Sequence, residues 1–290
     1  MKKIVSLAAV LVLAMALLLS GCGNNGEEAT PSAAAEATPK TSEAAPADAK
    51  ADTSLEDVKS AGKLVLGLDD AFPPMGFRDD SNEIVGFDID LAKEVASRMG
   101  VELEVKPIVW DSMLQEVESG KIDVVWNGLS VTEERQEKLN LSKPYMKNTQ
   151  VIVVQEGSDI KTKADLAGKV VGVQDNSSAN QAIEKDEGVK DSFKELRGFE
   201  TNDLALLDLA SGRLDAVVVD VIVAGYYQTQ KPDTYVILEE NFGEEDFVIG
   251  FKKGSDALTA EVQKQLDAMI EDGTFKTISE KWFDRDVSVK

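Results

Sequence analysis

The sequence predicts an α/β protein built from two lobes of one architecture. Short runs of Val, Ile and Leu are typical of buried strands, and amphipathic helical segments lie between them, which indicates mostly parallel sheets covered by helices. Two stretches also recur in the same order: GKLVLGLDD (62–70) is echoed by GKVVGVQD (168–175), and SGKIDVVWNG (119–128) by SGRLDAVVVD (211–220). One echo alone would be common among α/β strands, whereas two in the same order favour a repeated unit.

The first lobe carries two predicted helices between its strands. Apolar residues follow the 3.6-residue helical period over 91–99, with Asp88 as the predicted N-cap and Gly100 as the end. Asp111 is predicted to cap a shorter helix that Gly120 ends. Each helix would cover a face of the first sheet.

The second lobe and the end of the chain carry further helical signals. A helix is predicted from about Asn202 to Ala210, ended by Gly212 just before the repeated strand. Near the end of the chain, Phe275, Ile278 and Trp282 have the spacing of a buried helix face. We expect this last helix to pack back on the first lobe.

Composition excludes several classes of function. The formal net charge is −22, with 53 acidic against 31 basic residues, which argues against a nucleic-acid partner because Lys and Arg dominate phosphate binding. The chain has no histidine, which excludes Ser-His and Cys-His nucleophile pairs and His-ligated metals. No metal, cofactor or enzymatic activity is therefore predicted.

The N-terminus has the pattern of a signal peptide. Lys2 and Lys3 precede an apolar run from Ile4 to Leu19, and the small residues Ser20 and Gly21 follow. The alternative is a membrane-spanning helix, but the run is shorter than the roughly 20 residues that a bilayer needs. Residues 1–21 are predicted to be removed.

The segment after the signal is predicted to be an anchor and a tether. The sequence Leu-Ser-Gly-Cys at 19–22 resembles the lipobox of bacterial lipoproteins, which implies diacylglycerol on Cys22 and a protein anchored to a membrane outside the cytoplasm. Residues 23–54 contain no Val, Ile, Leu, Met, Phe, Trp or Tyr, so this stretch cannot bury enough apolar surface to fold. Residues 22–54 are predicted to form a disordered tether, and the folded body is predicted to begin near Leu55.

Polar residues stand at the predicted carboxyl ends of strands in both lobes. In open α/β sheets, ligands bind beyond these ends, where the strand order switches. If the two lobes face each other, the strand ends would line one cleft. The residues at these ends are Asp69, Asp70, Asn127, Gly128, Gln174, Ser177, Ser178 and Asp220.

An arginine breaks a local rule beside these strand ends. Thr132 is a natural N-cap, and this cap puts Arg135 in the first turn of a helix, where a cation opposes the helix dipole. Such breaches tend to mark functional sites, and a guanidinium fork matches a carboxylate. The alternative is an ion pair of Arg135 with a neighbouring glutamate: Glu133, Glu134 or Glu137.

Asp220 has the complementary charge for an α-ammonium group. Its alternative role is to cap a helix that begins at Val221, and both roles could coexist. Free amides near Gly128 and Ser130 could complete the shell of a bound carboxylate. The hydroxyls of Ser177 and Ser178 are further candidates for that shell.

Four stretches resemble the amino-acid-binding proteins of bacterial ABC importers. The resemblance is to the polar amino acid group, which includes the glutamine-, histidine- and lysine/arginine/ornithine-binding proteins, and it covers about Leu55 to Phe283. The stretches are GFDIDLAKEVASRMG (86–100), SGKIDVVWNGLSVTEER (119–135), LAGKVVGVQDNSSA (166–179) and DGTFKTISEKWF (272–283).

The resemblance implies a two-lobed periplasmic-binding-protein fold that closes on one amino acid. Lobe 1 would comprise residues 55–145 and 247–290, and lobe 2 residues 146–246, with crossover segments near 145–151 and 241–247. The implied partners are a free amino acid and the permease subunits of an ABC transporter, and the implied state is a monomer.

The resemblance also assigns contacts to the backbone of the ligand. Arg135, in the Ser-x-Thr-x-x-Arg segment, would clamp the ligand carboxylate, and Asp220 would take the ammonium. Gly128 and Ser130 would contact the ligand backbone. Ser178 would add a carboxylate donor from the other lobe.

A second set of residues would surround the ligand side chain. Phe72 and Trp110 would sandwich it, although both aromatic residues could instead belong to the core. Asp69 and Gln174 would reach its polar end, where Asp69 suits a cation but could equally accept from an amide. Asn176 replaces a glycine that is common in the family, and Asn can still adopt the left-handed backbone.

Two other functions compete with solute delivery. One is a ligand-sensing module of the same fold. The other is a dehydratase-type enzyme on this fold, for which an additional catalytic Glu or His is expected in the cleft. Beyond Asp69, Asp70 and Asp220, no acidic residue is expected there.

Overall fold

The computed structural model describes residues 51–289 of the chain. The predicted signal peptide, Cys22 and most of the predicted tether lie outside the described residues. The end of that tether contacts the folded body: Asp52 Oδ2 accepts a hydrogen bond from the Ala257 amide at 2.5 Å, and Ser54 Oγ accepts one from the Leu258 amide at 3.2 Å.

Strands and helices alternate along the described residues, as the apolar pattern predicts. The strands are β1 Lys63–Leu68, β2 Ala71–Phe72, β3 Gly76–Arg78, β4 Ile84–Val85, β5 Glu102–Pro107, β6 Val124–Ser130, β7 Leu139–Leu141, β8 Met146–Gln155, β9 Val170–Gln174, β10 Glu195–Phe199, β11 Ala216–Asp220 and β12 Tyr235–Lys252. The α-helices are α1 Ser54–Ala61, α2 Phe87–Met99, α3 Met113–Glu118, α4 Glu133–Lys138, α5 Ser178–Lys185, α6 Glu187–Lys190, α7 Asn202–Ala210, α8 Val221–Gln230, α9 Asp256–Asp272 and α10 Thr274–Phe283.

The main sheet consists of two halves with the same design. Its strand order is β10-β9-β11-β8-β12-β6-β1-β5, and β7 also pairs with β12. In one half, β1 lies parallel between β5 and β6, and in the other half β9 lies parallel between β10 and β11. β6 is antiparallel to β12, and β11 is antiparallel to β8. The predicted α/β fold with two lobes of mostly parallel sheet is confirmed.

The repeated strands make the same contacts in the two halves. Asp123 Oδ2 accepts from the Val65 amide at 2.8 Å, and Asp215 Oδ2 accepts from the Val170 amide at 2.7 Å. Each carboxylate thereby fixes the register of the central strand of its half-sheet.

A glycine occupies the equivalent position in each central strand. A Cβ placed on Gly67 would lie 2.4 Å from Ile122 Cδ1, and one placed on Gly172 would lie 2.5 Å from Leu214 Cδ1. Both glycines therefore make room for the apolar residue that precedes the repeated aspartate.

β8 and β12 connect the two halves. β12 pairs with β8 from Tyr235 to Phe247 and with β6 from Phe247 to Phe251. Its register against β8 shifts on both sides of Asn241. These strands run through the two predicted crossover segments, and the lobe boundaries themselves remain a prediction.

The helix boundaries correct two predicted caps. Gly86, not Asp88, precedes α2, and Asp88 is fully buried in the first turn of that helix. Ser112, not Asp111, precedes α3. The predicted helix over Asn202–Ala210 is confirmed as α7.

The last helix packs on the first half. The ring of Phe275 in α10 contacts that of Phe87 in α2, with 5.6 Å between the ring centroids. Within residues 51–289, no helix is both long and apolar enough to cross a membrane.

Candidate functional site

A cavity lies where strand ends of the two halves meet. Seven of the nine predicted site residues line it, and the other two, Asp69 and Ser130, are hydrogen-bonded to residues that do. The lining residues are Phe72, Trp110, Asn127, Gly128, Arg135, Gln174, Ser177, Ser178 and Asp220.

Hydrogen bonds join the two halves around this cavity. Gln174 Nε2 donates to Asp69 Oδ2 at 2.8 Å, and Ser178 Oγ donates to Ser130 Oγ at 3.0 Å. In a third contact, the side-chain amide of Asn176 donates to the Asp111 carboxylate. The two halves are thus closed over the candidate site.

Arg135 is a buried cation without an ion-pair partner in the described part of the chain. Its position in the first turn of α4 follows from the predicted cap, because Thr132 Oγ1 accepts a hydrogen bond from the Arg135 backbone amide at 3.3 Å. The guanidinium donates to the Ser130 carbonyl at 2.9 Å and lies 5.5 Å from the centroid of the Trp110 ring. The alternative of a local ion pair is wrong, since Glu134 pairs with Lys138 instead.

The environment of Arg135 prepares it for an anion. The residue is 3% exposed, and burial lowers the pKa of its guanidinium to about 10. Burial of a charge without a counter-ion is costly, so a bound carboxylate would relieve that cost.

Asp220 ends β11 and faces the cavity from the other half. It is 5% exposed, and Oδ1 accepts from Asn148 Nδ2 at 2.6 Å and from Gln150 Nε2 at 2.8 Å. Burial, followed by the charge of Glu245, raises the pKa of Asp220 to about 7. Its side chain makes no capping bond to α8, so the alternative capping role is wrong.

Gly128 is held in place by a residue that the sequence assigned to a cap. Its amide donates to Asp88 Oδ2 at 2.8 Å, so this amide is not free, contrary to expectation. Tyr145 Oη also donates to the Asp88 carboxylate, at 2.9 Å to Oδ1. Burial raises the pKa of Asp88 to about 7.

Only glycine suits position 128. The residue has φ +56°, and a Cβ there would lie 2.8 Å from Phe72 Cε1. The absence of this side chain lets the Phe72 ring reach the cavity wall.

The serines after β9 divide their roles. Ser177 Oγ accepts from the Asn180 amide at 3.1 Å and donates to the Gln174 carbonyl at 2.8 Å, so its hydroxyl caps α5. The Ser178 hydroxyl, in contrast, makes no capping bond, and this residue lines the cavity. Asn176 has φ +53°, which confirms the left-handed backbone expected of it.

Asp69 and Gln174 form the opposite end of the site. Asp69 Oδ1 accepts from the Ala71 amide at 2.9 Å, while Gln174 Oε1 accepts from Asn202 Nδ2 at 3.0 Å. Burial raises the pKa of Asp69 to about 6. Asp70 lies outside the cavity lining and pairs with Arg78 at 2.6 Å.

Three polar residues of the site come from the crossing strands and were not predicted. Glu245 Oε2 accepts from Ser130 Oγ at 2.6 Å, and Gln150 and Asn148 also donate to it. A run of polar residues at 147–150, just before the apolar run at 151–154 of the same strand, was a signal for the two amides. The expectation of no further acidic residue in the cleft is wrong.

Comparison with known proteins identifies the family. The family of bacterial extracellular solute-binding proteins, family 3, matches residues 64–285. The chain belongs to this family. The L-cystine-binding protein TcyJ of Escherichia coli (strain K12) is 33% identical over 237 residues, which cover 81% of this chain and 87% of TcyJ.

Solved structures of amino-acid-binding and substrate-binding proteins have the same fold. A substrate-binding protein of an ABC uptake transporter from Streptococcus pneumoniae, with bound histidine, superposes with a TM-score of 0.80 at 35% identity over 83% of this chain and 99% of that one. AncCDT-1, an ancestral amino-acid-binding protein described as a precursor of cyclohexadienyl dehydratase, has a TM-score of 0.73 at 34% identity over 79% of this chain and 99% of that one.

Proposed function

We propose that this protein captures a free polar amino acid between its two lobes and delivers it to the permease of an ABC importer. The observation that carries the proposal is the pair of buried, opposite charges, Arg135 and Asp220, on either side of one cavity. A relative named for cystine binding and a similar substrate-binding protein with bound histidine support an amino acid as the ligand.

The roles of the residues follow from their charges and bonding capacity. Arg135 binds the ligand carboxylate with its fork of N–H donors, and Ser178 adds a hydroxyl donor. Asp220 accepts from the ligand ammonium, while Gly128 and Ser130 contact the ligand backbone.

The ligand side chain would occupy the other part of the cavity. Phe72 and Trp110 enclose it, and Asp69 and Gln174 meet its polar end. The Asp69 carboxylate suits a basic side chain, and the Gln174 amide suits either a basic or a neutral polar one.

Ligand binding would favour the closed arrangement of the lobes. Carboxylate and ammonium groups are recognised from different lobes, so only the closed form offers both half-sites. Crossover segments near 145–151 and 241–247 would absorb the motion, with lobe 1 at 55–145 and 247–290 and lobe 2 at 146–246.

The N-terminal residues would set the place of action. Removal of residues 1–21 and lipidation of Cys22 would anchor the protein to a membrane outside the cytoplasm, with residues up to about 54 as a tether. The family description as extracellular supports that compartment. We propose a monomer, since each chain supplies both halves of its site.

Glu245 is the observation that favours a second candidate, a dehydratase-type enzyme. A dehydratase needs a proton donor or acceptor beside the reacting atoms. Glu245 Oε2 accepts hydrogen bonds from Ser130, Gln150 and Asn148, so it is occupied as an acceptor. This arrangement supports binding rather than catalysis.

A thermal-shift panel tests the proposed function. The full chain, purified in detergent, is heated with each of the common amino acids and with cystine, and one or more should stabilise it. A ligand at 100 times its dissociation constant stabilises by about 2.7 kcal/mol. A panel without any shift contradicts the proposal, and chemical conversion of a bound amino acid would favour the enzyme instead.

A further inference from the structure

We propose that Glu245 is a second acidic determinant of the ammonium half of the site, which makes the protein selective for ligands with a free, positively charged α-amino group. The proposal rests on the proposed function and adds to it a specificity residue on the crossing strand β12. Three observations lead to it.

The first observation is that two carboxylates share the same donors. Gln150 Nε2 donates to Asp220 Oδ1 at 2.8 Å and to Glu245 Oε2 at 3.0 Å. Asn148 Nδ2 likewise donates to Asp220 at 2.6 Å and to Glu245 at 3.4 Å. Two carboxylates bonded to one nitrogen atom lie close together, one of them buried (Asp220) and the other half-buried (Glu245), and a cation between them would relieve their repulsion.

The second observation is a pair of buried acceptors without donors. Asn148 is 2% exposed and Gln150 is 0% exposed, yet Asn148 Oδ1 and Gln150 Oε1 have no hydrogen-bond partner in the described structure. The amide nitrogens must face the carboxylates, so the oxygens remain as acceptors beside them. A group that carries only donors, such as an ammonium, suits this surrounding.

The third observation concerns the hydroxyl of Ser130. A serine hydroxyl has one proton, and the 2.6 Å bond to Glu245 uses it. Ser130 Oγ accepts from Ser178 Oγ at 3.0 Å in the closed structure, so towards a ligand it can also only accept, which again calls for an N–H donor.

The acceptors also lie beside the carboxylate clamp. The Ser130 carbonyl accepts from the Arg135 guanidinium at 2.9 Å, so one residue contacts both Arg135 and Glu245. In an α-amino acid the carboxylate and the ammonium are attached to one carbon atom, and in the site the counter-charges for both groups contact one residue, Ser130.

Calorimetric titration of Glu245→Gln tests the proposal. The matched control is Glu244→Gln, which removes the same charge from the exposed neighbouring residue. The probes are L-arginine, L-histidine, L-glutamine and L-cystine, and the tightest of them is compared with its N-acetyl derivative. Glu245→Gln should weaken the amino acid about tenfold or more, whereas Glu244→Gln should stay within about twofold of the unmodified chain.

Ligand selectivity distinguishes recognition of the ammonium by Glu245 from a merely structural role of this residue, because a structural role would leave the selectivity unchanged. The preference for the amino acid over its N-acetyl derivative should fall about tenfold in Glu245→Gln and stay unchanged in Glu244→Gln. Should Glu245→Gln fail to melt cooperatively, Glu245→Ala is compared with Glu244→Ala, which again remove the charge at each position, and the same weakening and loss of preference are expected.

The outcomes separate this proposal from the proposed function. If the unmodified chain binds no amino acid, the proposed function fails and this proposal fails with it. If the unmodified chain binds and the Glu245 variants bind equally well or more tightly, the proposed function stands and this one is overturned. Glu245 would then compete with the ligand for the hydroxyls of Ser130 and Ser178.

Discussion

Strands β6 and β11 are equivalent in the two lobes, yet they end in different chemistry. The residues just before them, Asp123 and Asp215, make matching contacts with the central strand of each half-sheet. At their ends β6 presents the backbone of Gly128, whereas β11 presents the Asp220 carboxylate. A repeated unit thus keeps the residues that build the sheet and varies those that face the cleft.

The two lobes contribute charges of opposite sign, Arg135 and Asp220, and both charged side chains are buried. Burial lowers the pKa of Arg135 to about 10 and raises that of Asp220 to about 7. Burial therefore disfavours the charged form of both groups. A zwitterionic ligand would compensate both at once.

Arg135→Ala should have the largest effect on binding. Removal of one partner from a buried, hydrogen-bonded charge pair costs roughly 2–5 kcal/mol, so affinity should fall about a hundredfold or more. Unliganded stability should change little, because burial disfavours the charged guanidinium more than the charges of Glu245 and Asp220 favour it, and the guanidinium forms no direct ion pair within residues 51–289. Calorimetry and thermal melts measure the two effects, with Arg213→Ala, at an exposed residue outside the cavity lining, as control. Equal affinity in Arg135→Ala and the unmodified chain would refute the carboxylate clamp.

Gly128→Ala should come next, because it changes the backbone end of β6. The added Cβ would press on Phe72, and a non-glycine residue in the left-handed region costs about 1–3 kcal/mol. We expect a lower melting temperature and about tenfold weaker binding.

Gly62→Ala is the control that separates backbone strain from the contact with Phe72. Gly62 also has a positive φ, of +71°, but a Cβ there meets nothing within 4 Å. Its substitution should lower the melting temperature without a change in the dissociation constant. Weaker binding in both variants would argue that the close approach of Phe72 is unimportant.

Affinity should depend on pH through Asp220. The ligand ammonium needs the ionised carboxylate, and the pKa of Asp220 is raised to about 7 without ligand. Below that pH a proton must leave first, so affinity should fall about tenfold from pH 8 to pH 6. Titrations across this range check the slope. Asp220→Asn should bind weakly at every pH, and an unchanged slope in that variant would assign the pH dependence to another group.

Asp123→Ala and Asp215→Ala should have the smallest effects, and similar ones. Each substitution leaves one strand amide without its acceptor, at a cost of about 1–2 kcal/mol in the free energy of unfolding. Denaturant unfolding measures this loss, and calorimetry should show no change in affinity. A large loss in only one lobe would break the equivalence of the two strands.

Much of this arrangement could be predicted because it depends on local rules. The Thr132 cap determines the place of Arg135, and a strand end determines that of Asp220. Asp88 shows the limit of such rules. An acidic residue before a helical period has the pattern of a cap, but its carboxylate is used by the distant Gly128 amide.

Glu245 could not be predicted from its own surroundings. It lies in the acidic stretch EENFGEED (239–246), where neighbouring residues look alike and all, Glu245 included, are exposed or half-buried. What distinguishes it is the change of partner of β12 from β8 to β6, which brings its side chain to Ser130. That contact spans 115 residues and depends on the assembled sheet.

Calorimetric titration with chemically blocked ligands tests the central claim most directly. The tightest amino acid of the panel is compared with its N-acetyl derivative, which lacks the ammonium, and with its methyl ester, which lacks the carboxylate. If Arg135 and Asp220 together clamp a zwitterion, each derivative should bind about a hundredfold more weakly than the parent amino acid. Binding of either derivative with the affinity of the parent would contradict the account.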